Sequence, residues 1–216
     1  MILPYFAQIR ILLAVVAGSG LFAGCASLGK PAKLRSGDIV FQDSSPHSGQ
    51  AVAIKKLTRS AWSHCGIYFA REGRAPVVID GNGTQREVLW EAWKSNGAGG
   101  RYAAFRLKRD LSEGEVEALW RRASFYDGRP YDLKFAWDDG KIYCSELIWK
   151  ACRDALKLEI GKTERLADFD LRDPAARALI ERPGSWGTVE NAMAHGEEVV
   201  VSPQAIAQSP LLRRVR

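Results

Sequence analysis

The sequence predicts an α+β domain, and three observations carry that prediction. Short apolar runs such as "DIVF" (38–41), "WSHCGIYF" (62–69) and "PVVID" (76–80) are bounded by turn residues, as strands are. Other segments space their apolar residues by three and four and open on capping residues, as amphipathic helices do. Residues 34–216 have the length of one domain with one sizeable core, and no linker or internal repeat divides them. The architecture expected is an antiparallel sheet or small barrel packed against helices.

Taken in order, Asp38 to Phe41 is a strand and Gln50 to Leu57 a short helix behind Ser48. Trp62 to Phe69 and Pro76 to Asp80 form a hairpin turning at "REG". A three-residue loop, Arg71-Glu72-Gly73 with glycine left-handed, would place His64 directly opposite Asp80. Arg86 to Leu89 and Tyr102 to Leu107 are further strands, separated by a tryptophan-containing segment and the "NGAGG" loop. Ser112 with Glu115 is a capping box that opens a helix to about Tyr126. Asp173 caps another helix with Pro174 at its first position, and "VVVSP" (199–203) predicts a late strand followed by a short helix. "GNG" and "GAGG" match no phosphate-loop pattern and are read as loops.

The first residues read as a leader. A short segment ending in Arg10, an apolar run from Ile11 to Ala17 and small residues after it predict a signal peptide over 1–24. The run is too short for a membrane span, which takes roughly 20 residues. "LFAGCAS" resembles the lipobox of bacterial lipoproteins, with Phe22 where leucine is usual, and so implies acylation of Cys25. Residues 25–33 would then be a lipidated tether holding the domain at a membrane through Cys25. Ala26 is not the aspartate that signals inner-membrane retention, which favours the periplasmic side of the outer membrane in a Gram-negative cell.

The formal charge is +6, one unit of it from Arg10 in the leader. That balance suits residence near anionic phospholipid or an acidic polymer. The basic residues form scattered pairs rather than one run, and export argues further against nucleic acid as a partner. With Cys25 assigned to lipid, Cys65, Cys144 and Cys152 are an odd set, so at least one thiol stays free. No C-x-x-C pair or spaced histidine supports zinc, and no cofactor or metal is expected.

The chemistry centres on "KIYCSELIWKAC" (141–152). Leu147, Ile148, Ala151 and Ala155 define the buried stripe of a helix, and Cys144 precedes the first pair by three and four residues. Cys144 is therefore an inward-facing residue of the first turn, where free amides and the helix dipole favour a thiolate. Cys152, two turns on, is core filler. Of the three histidines, His47 and His195 lie in polar surface segments, whereas His64 lies inside a strand. Asp80, facing it across the hairpin, is placed to orient the imidazole while the other ring nitrogen serves Cys144. The bland alternative is a buried cysteine and a satisfied core histidine.

"SGDIVFQ", "SHCGIYF" followed by "VVID", "YDLKFAW" and "IYCSELIWKA", in that order, resemble the YiiX/YaeF-type permuted papain-like cysteine hydrolases of the NlpC/p60 superfamily. The similarity runs from Ser36 to Ile206. It implies a circularly permuted papain-like fold in which the histidine strand precedes the cysteine helix. It also implies a nucleophile at Cys144, a base at His64 and a third polar residue at Asp80, where members more often carry glutamate. Cys65 stands where an aliphatic residue is more usual and is read as core. The oxyanion hole is expected to include the Cys144 amide, with Tyr131 or Tyr143 as candidate second donor. Ser145 and Glu146 belong to the same motif, Glu146 as a brace of the helix start. The implied activity is thiol-dependent hydrolysis of a peptide or acyl amide, with peptidoglycan as a candidate polymer. Two alternatives stand beside it: a lipid-directed acyl hydrolase or acyltransferase, and a non-catalytic envelope-binding lipoprotein. The sequence leaves the oligomeric state open.

Overall fold

The computed structural model describes residues 32–216 apart from 45–46 and 85–86. The predicted signal segment 1–24, Cys25 and all but the end of the tether lie outside the described residues. Among those described, no helix is long and apolar enough to cross a membrane.

In chain order the elements are β1 (Asp38–Gln42), α1 (Gly49–Thr58), β2 (His64–Phe69), β3 (Val77–Asp80), β4 (Glu87–Leu89), α2 (Trp90–Ser95), β5 (Ala103–Leu107), α3 (Glu113–Ser124), α4 (Cys144–Leu156), β6 (Glu164–Arg165), α5 (Pro174–Ile180), α6 (Val189–Ala194), β7 (Val199–Val200), α7 (Pro203–Ala207) and β8 (Leu212–Arg214). Six strands form one antiparallel sheet in the order β4-β3-β2-β1-β5-β8, and β6 pairs with β7 separately. The fold is thus α+β with an open sheet, the first of the two expected forms.

Alternation along the strands divides the core between two faces. Ile39, Phe41, Cys65, Ile67, Phe69 and Ile79 pack with Leu147, Ile148 and Ala151 of α4 and Leu119 and Ala123 of α3. Val40, Tyr68, Val78 and Ala104 turn the other way, onto Trp90 and Trp93 of α2. Each fully buried aliphatic side chain in these layers contributes about 1.5–3 kcal/mol.

The helix starts form where capping chemistry predicts them. Ser48 Oγ accepts from the Ala51 amide at 3.1 Å. Ser112 and Glu115 cap each other's backbone amides, and Asp173 Oδ1 accepts from Ala175 N at 2.8 Å with Pro174 at the first position. The tryptophan-containing segment is α2, and the carboxyl end of the chain adds the edge strand β8, which the sequence did not signal.

The β2–β3 register corrects the expected hairpin. Asp80 pairs with Gly66, not His64, and pairing starts at Phe69 opposite Val77. Residues 70–76 form the connection, with Gly73 at φ +70 as expected. Pro76 has no N–H to extend the ladder, and its carbonyl accepts from Trp90 N at 2.9 Å. The shift is two residues, an even number, so His64 and Asp80 keep their common face and become diagonal neighbours.

Candidate active site

The site lies where β2 begins, β3 ends and α4 begins. Tyr143 is extended at φ −114 and ψ 167, and the helix starts at the next residue, Cys144. Glu146 Oε2 accepts the Tyr143 amide at 3.3 Å and so closes the first turn from within. Glu146 is fully buried; burial pushes its carboxyl up to about 8 in spite of Lys150 Nζ at 2.8 Å. It braces the helix and does not line the cleft beside Cys144.

His64 Nε2 lies 2.7 Å from Asp80 Oδ2. A carboxylate accepts, so Nε2 carries a proton and Nδ1 is the nitrogen left for Cys144. Two more donors fix the carboxylate: Trp93 Nε1–H at 2.8 Å to Oδ2 and the Asn82 amide at 2.9 Å to Oδ1. The Trp93 ring also lies beside the imidazole, with centroids 6.2 Å apart. Asp80 therefore reaches His64 in spite of the altered register and its short side chain.

Sulfur and imidazole are an electrostatic pair. The Cys144 thiol is held well below its ordinary range by a hydrogen bond from Cys65, against burial, and by the charge and hydrogen bond of His64. Burial alone would lower His64, but the Asp80 carboxylate and the Cys144 thiolate overcome it and raise the imidazole to about 10. A thiolate–imidazolium pair therefore spans neutral pH.

Cys65 is the site residue that sequence reasoning missed. It is core, as expected, on the face that meets α4, and its thiol and its amide both help hold the Cys144 thiol down. Burial and that contact push its own thiol well up, so it stays a donor. The parity of β2 carried this signal, since Cys65 shares a face with Ile67 and Phe69. Cys152 is buried and pushed up to about 12 by burial alone, consistent with a core role. Cys65, Cys144 and Cys152 are all free thiols.

Of the remaining candidates, Tyr131, Tyr143 and Ser145 all border the cleft that holds Cys144, but the polar atoms of the last two are taken up by Val201. A backbone bridge ties Tyr131 to Ile142, and its ring lines the cleft beside Cys144. Tyr143 packs in the core, and its hydroxyl accepts from Val201 N at 3.1 Å. Ser145 Oγ donates to Val201 O at 2.8 Å, so both hold the segment after β7 instead of a reacting group. His47 and His195 are exposed.

Two hollows of opposite character meet here. Cys144 lines a cleft with about 720 Å³ of empty space, partly open to solvent, whose walls include Ile54, Phe135, Leu171, Leu179, Ile180 and Trp186. His64 lines a separate polar hollow with Ser44, Ser48, Gln50, Ser63 and Asn82. Tyr131 borders both.

A thiol at a helix amino end, met by a histidine from an earlier strand of an antiparallel sheet, defines a papain-like arrangement in permuted chain order. The chain belongs to the family described as permuted papain-like amidase enzyme, YaeF/YiiX, C92 family, which matches residues 33–216. It is 36% identical over 182 residues to the uncharacterized protein YiiX of Escherichia coli strain K12, covering 84% of this chain and 85% of that protein. The crystal structure of YiiX from Escherichia coli O157:H7, described as a metalloprotein, matches with a TM-score of 0.75 at 35% identity, over 84% of this chain and 96% of that one. In the present chain His64, Asp80, Cys65 and Cys144 are engaged with one another, and among the described residues no three His, Cys, Asp or Glu side chains are grouped to hold a metal ion.

Proposed function

We propose that this protein is a thiol-dependent amide hydrolase acting through Cys144, His64 and Asp80. The observation that carries the reading is the His64 ring, bonded through Nε2 to Asp80 and electrostatically paired with the sulfur at the start of α4. The Cys144 thiolate attacks the carbonyl carbon, and the carbonyl oxygen takes the negative charge. The amide bond then breaks as the His64 imidazolium gives its proton to the departing amine, leaving a thioester on Cys144. Water, deprotonated by His64, resolves the thioester to a carboxylic acid and the free thiol. Asp80 holds the ring and stabilises its charged form throughout.

The two hollows orient the substrate. The acyl half stays bonded to Cys144 and so belongs in the apolar cleft, while the departing amine is protonated from the polar His64 side. This favours an acyl amide with an apolar acyl group over a charged cell-wall peptide. The same observation supports a second reading, hydrolysis or transfer of ester-linked acyl chains of lipids. Acylation of Cys25 would tether the enzyme to a membrane and bring such substrates within reach.

The test is labelling with iodoacetamide at neutral pH, followed by mass shifts on incubation with N-acyl amides, acyl lipids and purified muropeptides. Selective labelling at Cys144, abolished by Cys144→Ser and weakened by His64→Ala, is expected. Labelling indifferent to His64 would favour a non-catalytic binding lipoprotein instead.

A further inference from the structure

Among the described residues Gln50 is the hydrogen-bond partner of the Tyr131 hydroxyl, and the direction of that bond is fixed by a third residue. Gln50 Nε2 lies 3.1 Å from the Tyr131 hydroxyl, and Arg182 Nη1 lies 2.6 Å from Gln50 Oε1. Arg182 is itself tied to the same segment as Tyr131, through Nη2 to the Leu133 carbonyl at 3.4 Å. A guanidinium has donors and no acceptor. The Gln50 atom facing it must therefore be the carbonyl oxygen, which turns the amide NH₂ toward Tyr131. That group also only donates, so the Tyr131 oxygen accepts and its own proton points away from Gln50. Tyr131 borders both the cleft that holds Cys144 and the hollow that holds His64.

We propose that Arg182 and Gln50 are positioning residues that aim the Tyr131 O–H at the oxygen of the carbonyl under attack, making Tyr131 the second oxyanion donor beside the Cys144 amide. The inference rests on the thiol hydrolase reading and adds to it two residues, one from α1 and one just beyond α5, that no motif connects with Cys144. No proton leaves Tyr131; it donates a hydrogen bond while charge develops on the substrate oxygen. Burial first, and the Cys144 thiolate after it, hold the phenol well above its ordinary range, so the proton stays in place for that role.

The decisive variant is Gln50→Glu, which keeps the shape and reverses the bond. A carboxylate accepts from Arg182 with one oxygen and from Tyr131 with the other, so the hydroxyl proton turns away from the cleft. With 4-nitrophenyl octanoate as probe, Gln50→Glu and Tyr131→Phe are each expected to lower kcat about 100- to 1000-fold, the range for one lost oxyanion donor. KM should change little, and the double variant should be no slower than either single one. Arg182→Met, which frees the amide to flip, should give a partial loss. Alkylation of Cys144 by iodoacetamide passes through no oxyanion and should keep its native rate in all of them. Native kcat in Gln50→Glu, additive losses in the double variant, or alkylation slowed in parallel with turnover would each overturn the assignment. So would a native protein that alkylates at Cys144 yet releases no nitrophenol. A native protein without selective alkylation would instead overturn the hydrolase reading on which the inference rests.

Discussion

Gly81 lies so close to Cys144 that a Cβ placed on it would fall 2.4 Å from the Cys144 backbone nitrogen, and 2.5 Å from the Tyr143 carbonyl carbon. The end of β3 thereby abuts the start of α4, which brings the Asp80 and His64 corner to the sulfur. Backbone atoms, unlike the tip of a flexible side chain, cannot swing aside. Gly81→Ala is expected to cost about 1–3 kcal/mol by overpacking, read from the urea midpoint. It should also lower turnover about 100-fold by moving the nucleophile. An alanine variant with native stability and rate would show that this contact does not set the position of Cys144.

The ion pair predicts an unusual pH profile. Cys144 is held below the ordinary thiol range, so its alkylation should remain fast at pH 6.5, where Cys65 and Cys152 stay protonated and inert. His64 keeps its proton until the pH rises through about 10, so turnover should fall there as the general acid is lost. In His64→Ala the thiol loses its cationic partner. The alkylation profile should move toward the ordinary value near 8.5, and the rate at pH 6.5 should drop accordingly.

Cys65 supplies a third handle on the same thiolate. Its S–H donates to the Cys144 sulfur, the first contribution to the lowered Cys144 value. Cys65→Val removes that donor and should shift the alkylation profile of Cys144 to higher pH. Cys65→Ser, which keeps a donor, should shift it less. Equal shifts in both would mean that packing, not the hydrogen bond, is what matters at this position.

Away from the site, Asp38 and Arg106 form a buried bidentate pair at 2.7 and 2.8 Å. Arg106 Nη2 also donates to the Lys33 carbonyl at 2.9 Å. Asp38→Asn strands a buried guanidinium and should cost about 3–5 kcal/mol in urea unfolding. Asp38 stands at the opposite end of β1 from Gln42, the residue paired with His64. The Cys144 alkylation rate of the folded variant should therefore stay native.

What the sequence determined by itself is local. The capped starts of α1, α3 and α5, the placement of Cys144 in the first turn of α4 and the outward character of His47 and His195 follow from interactions within a few residues, which a linear pattern records. Cys144, His64 and Asp80 could be singled out because helix ends and strand parity are also local properties. The tertiary structure decided everything that depends on distant partners. The β2–β3 register follows from Pro76 and its bond to Trp90, and Trp93 secures Asp80 from a helix the sequence left unassigned. Cys65 meets Cys144 across 79 positions of chain, a contact foreshadowed by strand parity but fixed by how α4 lies on the sheet. Gln50, Tyr131 and Arg182 converge from three separate segments, and no periodicity encodes a convergence of that kind. The apolar cleft is likewise built by α1, α5 and the segments around 135, 171 and 200, whose side chains look like ordinary core until packing leaves a space between them.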